Sequence, residues 1–285
     1  MPPIALALLL TSAAIHAGWN LLVKSAREKQ VFTWLAMIAG AVCFAPFLLL
    51  DLSFSARVWP YVIFSALAEI AYFIALTYAY DKSDFSLVYP IARGGAPALL
   101  ALWAALFLGD RLSATGLLGL AVLLLGLMVV GGAAWWARHD AVAPGLGGVG
   151  AALGVACFIS IYSAIDGAAV RLTAPAPYTT LVLSIAAVLL TPAILARYGQ
   201  RAVLAEWRAN RSRIILVGLA SFGSYILVLW AYTIARVSYA GAIREISVVF
   251  GALAGWRWLG EGFGVPRTAG AILIFLGILV ITIAG

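Results

Sequence analysis

Long apolar runs separated by short polar joins dominate the hydrophobic pattern of this chain. Each run is continuously apolar over about 20 residues, the length that a helix needs to cross the hydrocarbon core of a bilayer. Strands of a membrane β-barrel would instead alternate polar and apolar positions over about ten residues. The pattern therefore predicts ten transmembrane helices, near residues 3–23, 31–50, 59–80, 85–108, 114–133, 147–170, 178–196, 214–235, 238–259 and 268–284.

The composition excludes a soluble domain. Hydrophobic residues make up 65% of the 285 residues and charged residues only 10%, a balance typical of polytopic membrane proteins. We therefore predict an all-α, multi-pass protein of a bacterial-type cytoplasmic (inner) membrane, held in the lipid bilayer as a monomer. The net charge of +7 is assigned to the loops between spans and not to nucleic-acid binding.

No residue pattern in the chain is typical of a metal or cofactor site. The two cysteines, Cys43 and Cys157, lie in apolar runs without ligand spacing around them. The glycine-rich run at 145–150 matches the letters of a dinucleotide-binding motif, but no strand precedes it and a membrane helix follows. We expect neither a cofactor nor a bound metal.

The stretch 84–134 returns 151 residues later as 235–285, which indicates an internal duplication. An odd number of spans per repeat inserts the second repeat with the opposite orientation, the plan of many secondary transporters. We predict a first five-helix repeat at 1–134, a connecting loop at 135–146 and a second five-helix repeat at 147–285. The informative matches are an arginine within an apolar helix, a Leu-Gly-acid turn and two glycines on one helix face: Arg93 with Arg244, Leu108–Asp110 with Leu259–Glu261, and Gly119 and Gly126 with Gly270 and Gly277.

Charged residues lie inside the predicted spans, where each costs about 3 kcal/mol on insertion scales unless it meets a partner or water. Such residues usually serve a solute or proton path, so we predict a secondary transporter of a small polar metabolite. Because both signs are present, an amino acid or amino-acid-like zwitterion fits best. Guanidinium groups would hold a carboxylate or phosphonate, and the acids would meet an amine or carry a coupling proton: Arg93 and Arg244 on one side, Glu69, Asp166 and Glu245 on the other.

Aromatic and polar residues complete the predicted binding site. His16, Trp19 and Asn20 share one face of the first span, which must therefore face protein or water. Tyrosines on four other spans would supply aromatic walls, which leaves a quaternary amine or other organic cation as an alternative substrate. A further alternative is that the intramembrane charges pair with one another and only hold the bundle together. The tyrosines are Tyr72, Tyr89, Tyr162 and Tyr225.

Two other classes of protein fit the sequence less well. A membrane-embedded enzyme would need a catalytic constellation, yet no paired-aspartate protease signature is present. The two histidines, His16 and His139, lack a ligand cluster. A purely structural membrane protein would have little use for five charged residues within the bilayer. We therefore expect a transporter and not an enzyme.

Local features predict how individual spans behave. Gly94, Gly95 and Pro97 follow Arg93 closely, and we expect them either to loosen that helix or to kink it. The stretch 197–213 is the most basic join, and we expect it to be a loop. Counting loop arginines and lysines under the positive-inside rule places both termini outside the cytoplasm.

The chain resembles the EamA-type transporters of the drug/metabolite transporter superfamily over nearly its whole length. The resemblance is carried by Gly18-Trp19-Asn20 with Lys24 and by the endings Leu108-Gly109-Asp110-Arg111 and Leu259-Gly260-Glu261; Gly262 departs from the pattern, where an arginine would follow the acid. It implies ten helices in two inverted repeats, around a central pocket lined by the first, third, fourth, sixth, eighth and ninth helices. The known substrates include amino acids, phosphorylated metabolites and choline-like amines. It also implies cytoplasmic termini, against the charge count, so the orientation stays open.

Overall fold

A computed structural model describes residues 1–24, 26–50, 55–82, 85–136, 146–250, 253 and 265–284. Within these ranges the regular structure is helical, as the apolar runs predict, and contains no strand. A 3₁₀ helix, Ala45–Leu50, follows the second α-helix. The α-helices are α1 (Pro3–Lys24), α2 (Lys29–Phe44), α3 (Trp59–Lys82), α4 (Phe85–Phe107), α5 (Ala114–Trp136), α6 (Leu146–Ala169), α7 (Pro175–Ile234), α8 (Val237–Arg244) and α9 (Val265–Ala284).

The 60-residue helix α7 contains both the seventh and the eighth predicted spans. Its backbone leaves helical geometry at Gly199 (φ 75°) and at Asn210 (φ −129°). The two arms fold back on each other, because Tyr178 and Tyr225 both bind the Asp166 side chain, whereas a straight helix would hold them about 70 Å apart. The prediction of a loop at 197–213 is wrong. Between the two breaks this basic stretch is helical, since basic residues such as arginine do not disfavour a helix.

The ninth predicted span, 238–259, is interrupted shortly after it begins. Helix α8 ends at Arg244, and the next backbone N–H groups, those of Glu245 and Ile246, bond three residues back at 3.1 and 3.0 Å. Residues 247–250 are helical again, and most of the remainder of this span lies outside the described residues. Tight turns of this kind within a helix often mark a functional hinge.

Helices α5 and α9 cross through paired glycines. A Cβ on Gly119 would lie 3.0 Å from the carbonyl oxygen of Gly277, and a Cβ on Gly126 would lie 2.7 Å from that of Gly270. In sequence, Gly119 is equivalent to Gly270 and Gly126 is equivalent to Gly277. In the structure the pairs are exchanged, because Gly119 approaches Gly277 and Gly126 approaches Gly270. This exchange is what a two-fold axis perpendicular to both helices produces. The predicted packing role of these glycines is confirmed.

The helices around the centre of the bundle pack with the same two-fold relation between the repeats. Helix α3 packs on α6, while α1 packs on α7, where the Ser12 hydroxyl donates to the carbonyl oxygen of Ser224 at 2.7 Å. Large apolar side chains such as Phe107 and Phe275 remain exposed on the outside, as lipid-facing residues would be. Among the described residues, five helices are long and apolar enough to cross a membrane, and three shorter apolar helices accompany them.

Helix α4 is continuous past the glycines that follow Arg93. The expectation of a loosened helix is therefore wrong, because Phe85–Phe107 keeps helical geometry throughout. The two glycines instead make room for neighbouring side chains. A Cβ on Gly94 would lie 3.3 Å from the sulfur of Met128, and one on Gly95 would lie 3.1 Å from the Cβ of Ala156.

Candidate functional site

Three tyrosines from three helices form the wall of the candidate site. Tyr72 of α3 and Tyr225 of α7 both contact Tyr162 of α6 edge to face, with ring centroids 6.0 and 6.2 Å away. Edge-to-face packing of this kind is a favoured aromatic arrangement. Three predicted wall residues are thus brought together. We call these tyrosines, with Glu69, Asp166 and Arg244, the central cluster.

The Asp166 carboxylate is fully buried and held by two tyrosines. The hydroxyl of Tyr178 donates to its Oδ1 atom at 2.7 Å, and that of Tyr225 donates to Oδ2. The Ser65 hydroxyl lies nearby and has no hydrogen-bond partner of its own among the described residues. Because both oxygens have partners, Asp166 mainly orders the surrounding helices. Tyr178 was not among the predicted site residues, since its sequence position beside two prolines does not reveal which side chain it meets.

Arg244 lies over one of the tyrosine rings of the central cluster and has no acidic partner among the described residues. Its guanidinium carbon is 5.2 Å from the centroid of the Tyr225 ring, a cation–π distance. Among the described residues it forms neither a hydrogen bond nor an ion pair, although Glu69 and Asp166 are near enough for its charge to act on them. A half-buried guanidinium without an acidic partner is available to donate hydrogen bonds to an anion.

Glu69 belongs to the same cluster and is opposite in charge to Arg244. It lies on α3, is half-buried, and forms no hydrogen bond or ion pair with any described residue. Its charge interacts with those of Asp166 and Arg244. One unpaired acid and one unpaired base therefore lie around a wall of tyrosines.

Arg93 and Glu245 pair across the two repeats. One guanidinium nitrogen of Arg93, Nη1, lies 3.2 Å from both carboxylate oxygens of Glu245, and Nη2 lies 2.9 Å from Nε2 of His16. The two charged side chains are 17% and 5% exposed. This arrangement matches the alternative that some intramembrane charges pair with one another.

The remaining predicted residues lie at or beyond the edge of the cluster. Trp19 packs edge-on against His16 with ring centroids 4.8 Å apart, and its buried Nε1 has no hydrogen-bond partner among the described residues. Asn20 is exposed and donates to the backbone carbonyl of His16 at 2.7 Å, so the structure does not bring it to the cluster. The side chain of Tyr89 lies outside the described residues.

Tyr232 lines two cavities. A narrow space of about 10 Å³ beside Arg244 and Glu245 is lined by Tyr232. The same tyrosine lines an outer cavity of about 720 Å³, together with Asp110, Arg171 and Arg236. Its buried hydroxyl has no hydrogen-bond partner among the described residues, although Ser163 lies nearby. Tyr232 was missing from the predicted site, although its position seven residues after Tyr225 placed it on the same helix face.

Comparisons with known proteins identify relatives of the chain. A profile of the EamA-like transporter family matches residues 3–132 and 146–283. A solved structure described as "Crystal structure of protein" superposes with a TM-score of 0.78, at 19% sequence identity, over 99% of this chain and 98% of that chain. A likeness at this identity shows the fold alone. No curated protein gives a significant match. The twofold family match agrees with the internal duplication read from the sequence.

Proposed function

Because the chain belongs to the EamA-like transporter family, we propose that it is a secondary transporter of a small zwitterionic metabolite. The family makes it a multi-pass membrane transporter. The proposed solute is an amino acid or an amino-acid-like compound, moved across the cytoplasmic (inner) membrane by alternating access. In this proposal the solute reaches the central cluster past Tyr232, which lines both the outer cavity and the space beside Arg244.

One observation carries the choice of a zwitterion: Arg244 and Glu69 lie at the same cluster, and neither has a partner of opposite charge within ion-pair distance among the described residues. An intramembrane charge left without a partner is costly, so it is usually retained for a ligand or an ion. In the proposal, Arg244 binds the carboxylate or phosphonate. Glu69 meets the ammonium group, or takes up a proton when the solute is absent.

The organic cation remains a second candidate because three tyrosines surround the site. Such rings bind quaternary ammonium groups through their faces. However, the face of Tyr225 already lies under Arg244. A solute with a positive charge alone would meet this arginine without supplying an anion to it. The zwitterion is therefore favoured over the simple cation.

Counterflow of labelled solutes in proteoliposomes tests the proposal. A panel of amino acids, aminophosphonates and quaternary amines would identify the class, and Arg244→Ala should then abolish accumulation of the active solute. Loss of a hydrogen-bonded charge partner costs several kcal/mol, or on the order of a hundredfold in affinity. Both Arg244→Ala and wild type should elute as single species in detergent.

Arg197→Ala is the matched control, because this exposed arginine also lies over a tyrosine ring, 5.6 Å from the centroid of Tyr198. It should retain counterflow. If Arg244→Ala instead misfolds, and if neutralising Glu69 as well restores both folding and activity, then the arginine is a structural partner and the binding role is refuted. Selective counterflow of quaternary amines would favour the cation instead.

A further inference from the structure

The first Leu-Gly-acid turn, Leu108–Asp110, binds a helix of the other repeat. We propose that Asp110 is a positioning residue: by binding the first turn of α8, it sets the position of Arg244 at the last residue of that helix. The effect on the solute rests on the binding role proposed for Arg244. The effect on the helix does not.

The geometry of the turn aims the carboxylate away from its own helix. Gly109 has φ +72°, in the left-handed region that side chains disfavour. Beyond it, the backbone N–H of Asp110 donates to the carbonyl oxygen of Ala104 at 3.1 Å, which closes the end of α4. The chain thus turns at Gly109, and the side chain of Asp110 reaches the second repeat.

At the start of α8, Asp110 accepts two hydrogen bonds from one residue. The backbone N–H and the hydroxyl of Ser238 donate to the same oxygen, Oδ2, at 3.0 and 2.8 Å. The N-cap residue of α8, Arg236, supplies no side-chain cap. Asp110 therefore takes the place of a cap from another part of the chain, where the helix dipole favours a negative charge.

Arg171 holds the acid in place from a third direction. Its Nη2 atom lies 3.7 Å from Oδ1 of Asp110, and its Nη1 donates to the carbonyl oxygen of Leu108 at 2.9 Å. Arg171 is about half exposed, so the ion pair itself contributes little. The two bonds to Ser238 are buried and account for most of the attachment.

The neighbours of Ser238 also contact the first repeat. The hydroxyl of Tyr239 accepts a hydrogen bond from the backbone N–H of Ser113 at 3.1 Å. It lies so close to Gly116 that a Cβ there would clash with it. The first turn of α8 is therefore seated against the α4–α5 connection by two adjacent residues.

The shortness of α8 makes this contact relevant to Arg244. Ser238 and Arg244 are separated by about 9 Å along the axis, at 1.5 Å per residue, within one eight-residue helix. Beyond Arg244 the regular helix is interrupted at Glu245 and Ile246, so the following segment does not continue it as one rod. A shift of the first turn would therefore carry the guanidinium with it.

Thiol alkylation tests the effect on the helix without any solute. Ala242 of α8 and Ala36 of α2 are both buried, and each is replaced by cysteine, Ala242→Cys or Ala36→Cys, in a background with Cys43 and Cys157 changed to serine. Adding Asp110→Ala should raise the alkylation rate of the cysteine at 242 by about tenfold or more, because hydrogen bonds to a carboxylate are lost. The rate at 36 should not change. Asp110→Asn, which keeps an acceptor oxygen, should restore much of the protection.

A second measurement compares the binding of L-alanine and L-alaninamide to detergent-solubilised protein by saturation-transfer NMR. Asp110→Ala should reduce the preference for the carboxylate probe by about tenfold, and Arg244→Ala should remove it. The double variant should be no worse than Arg244→Ala alone. A purely structural role for Asp110 would lower the yield of folded protein but leave the ratio between the two probes unchanged.

Unchanged alkylation at 242, or an equal rise at 36 and 242, overturns the positioning role. If Asp110→Ala cannot be purified, Ser238→Ala removes the hydroxyl bond alone and should give a smaller rise at 242 only; no rise there would also overturn it. If alkylation rises selectively while wild type binds both probes equally, the positioning role stands and the proposed binding of a carboxylate by Arg244 fails.

Discussion

Removing the carboxylate of Glu245 should destabilise the bundle through the arginine that it leaves behind. Glu245→Gln is nearly isosteric, so it changes the charge without opening a cavity. Arg93 would keep its contact with His16 but would lose the carboxylate that lies 3.2 Å from its guanidinium group. The expected consequence is a loss of stability, with helices α4 and α8 released from each other first.

The magnitude follows from the geometry of the pair. At 3.2 Å and an effective dielectric constant of about 20, two unit charges attract by about 5 kcal/mol. Breaking a buried pair by removing one partner typically costs about 3–5 kcal/mol, because the other charge is stranded. Arg93 is 17% exposed and gains some solvation, so we expect about 3 kcal/mol for Glu245→Gln.

Unfolding titrations with SDS in mixed micelles measure this cost as a change in the free energy of unfolding. Glu245→Gln and Arg93→Gln should each lose about 3 kcal/mol, whereas the double variant should lose clearly less than the sum of the two, because both members of the ion pair are then neutral. Losses below about 1 kcal/mol that add in the double variant would refute the claim that this pair holds the repeats together.

Two further outcomes are expected elsewhere in the bundle. Glu69→Gln should flatten the pH dependence of transport, because it removes the unpaired carboxyl group proposed to take up a proton; an unchanged pH profile with normal activity would argue against that role. Gly126→Ala should destabilise the protein by about 1–3 kcal/mol, since the new Cβ would lie 2.7 Å from the carbonyl oxygen of Gly270. Gly132→Ala on the same helix has open space around it and should be neutral or stabilising, and equal effects of the two substitutions would refute the packing argument.

The helical architecture could be predicted from the apolar runs because membrane insertion depends mainly on local hydrophobicity. The error at 197–213 has a physical origin. Hydropathy separates lipid-facing from water-facing segments but does not separate a polar loop from a polar helix. In this stretch the glycine at 199, with its positive φ, is the sequence feature that indicates a turn. Many other glycines in this chain do not mark turns, so a glycine alone does not predict one.

The residue types of the site could be predicted, but their partners could not. Intramembrane charge identified Glu69, Arg93, Asp166, Arg244 and Glu245 as candidates because burying each is costly. Which acid meets which base depends on helix contacts far apart in sequence. The partners Tyr178 and Tyr225 reach Asp166 only because α7 folds back on itself, and a single sequence carries no direct sign of that reversal.

The two-fold relation between the repeats explains why one arginine is paired and the other is available. Arg93 and Arg244 are equivalent positions, and Arg93 binds Glu245 of the other repeat. Position 94 of the first repeat corresponds to position 245 of the second. The two-fold axis would therefore match the contact between Arg93 and Glu245 with one between Arg244 and position 94. Position 94 is a glycine and supplies no carboxylate, so the duplicated contact exists only once. The loss of symmetry at this single position removes the acid that would pair with Arg244, which lies over the ring of Tyr225 instead. In the proposed function, a solute carboxylate or phosphonate takes the place of that acid.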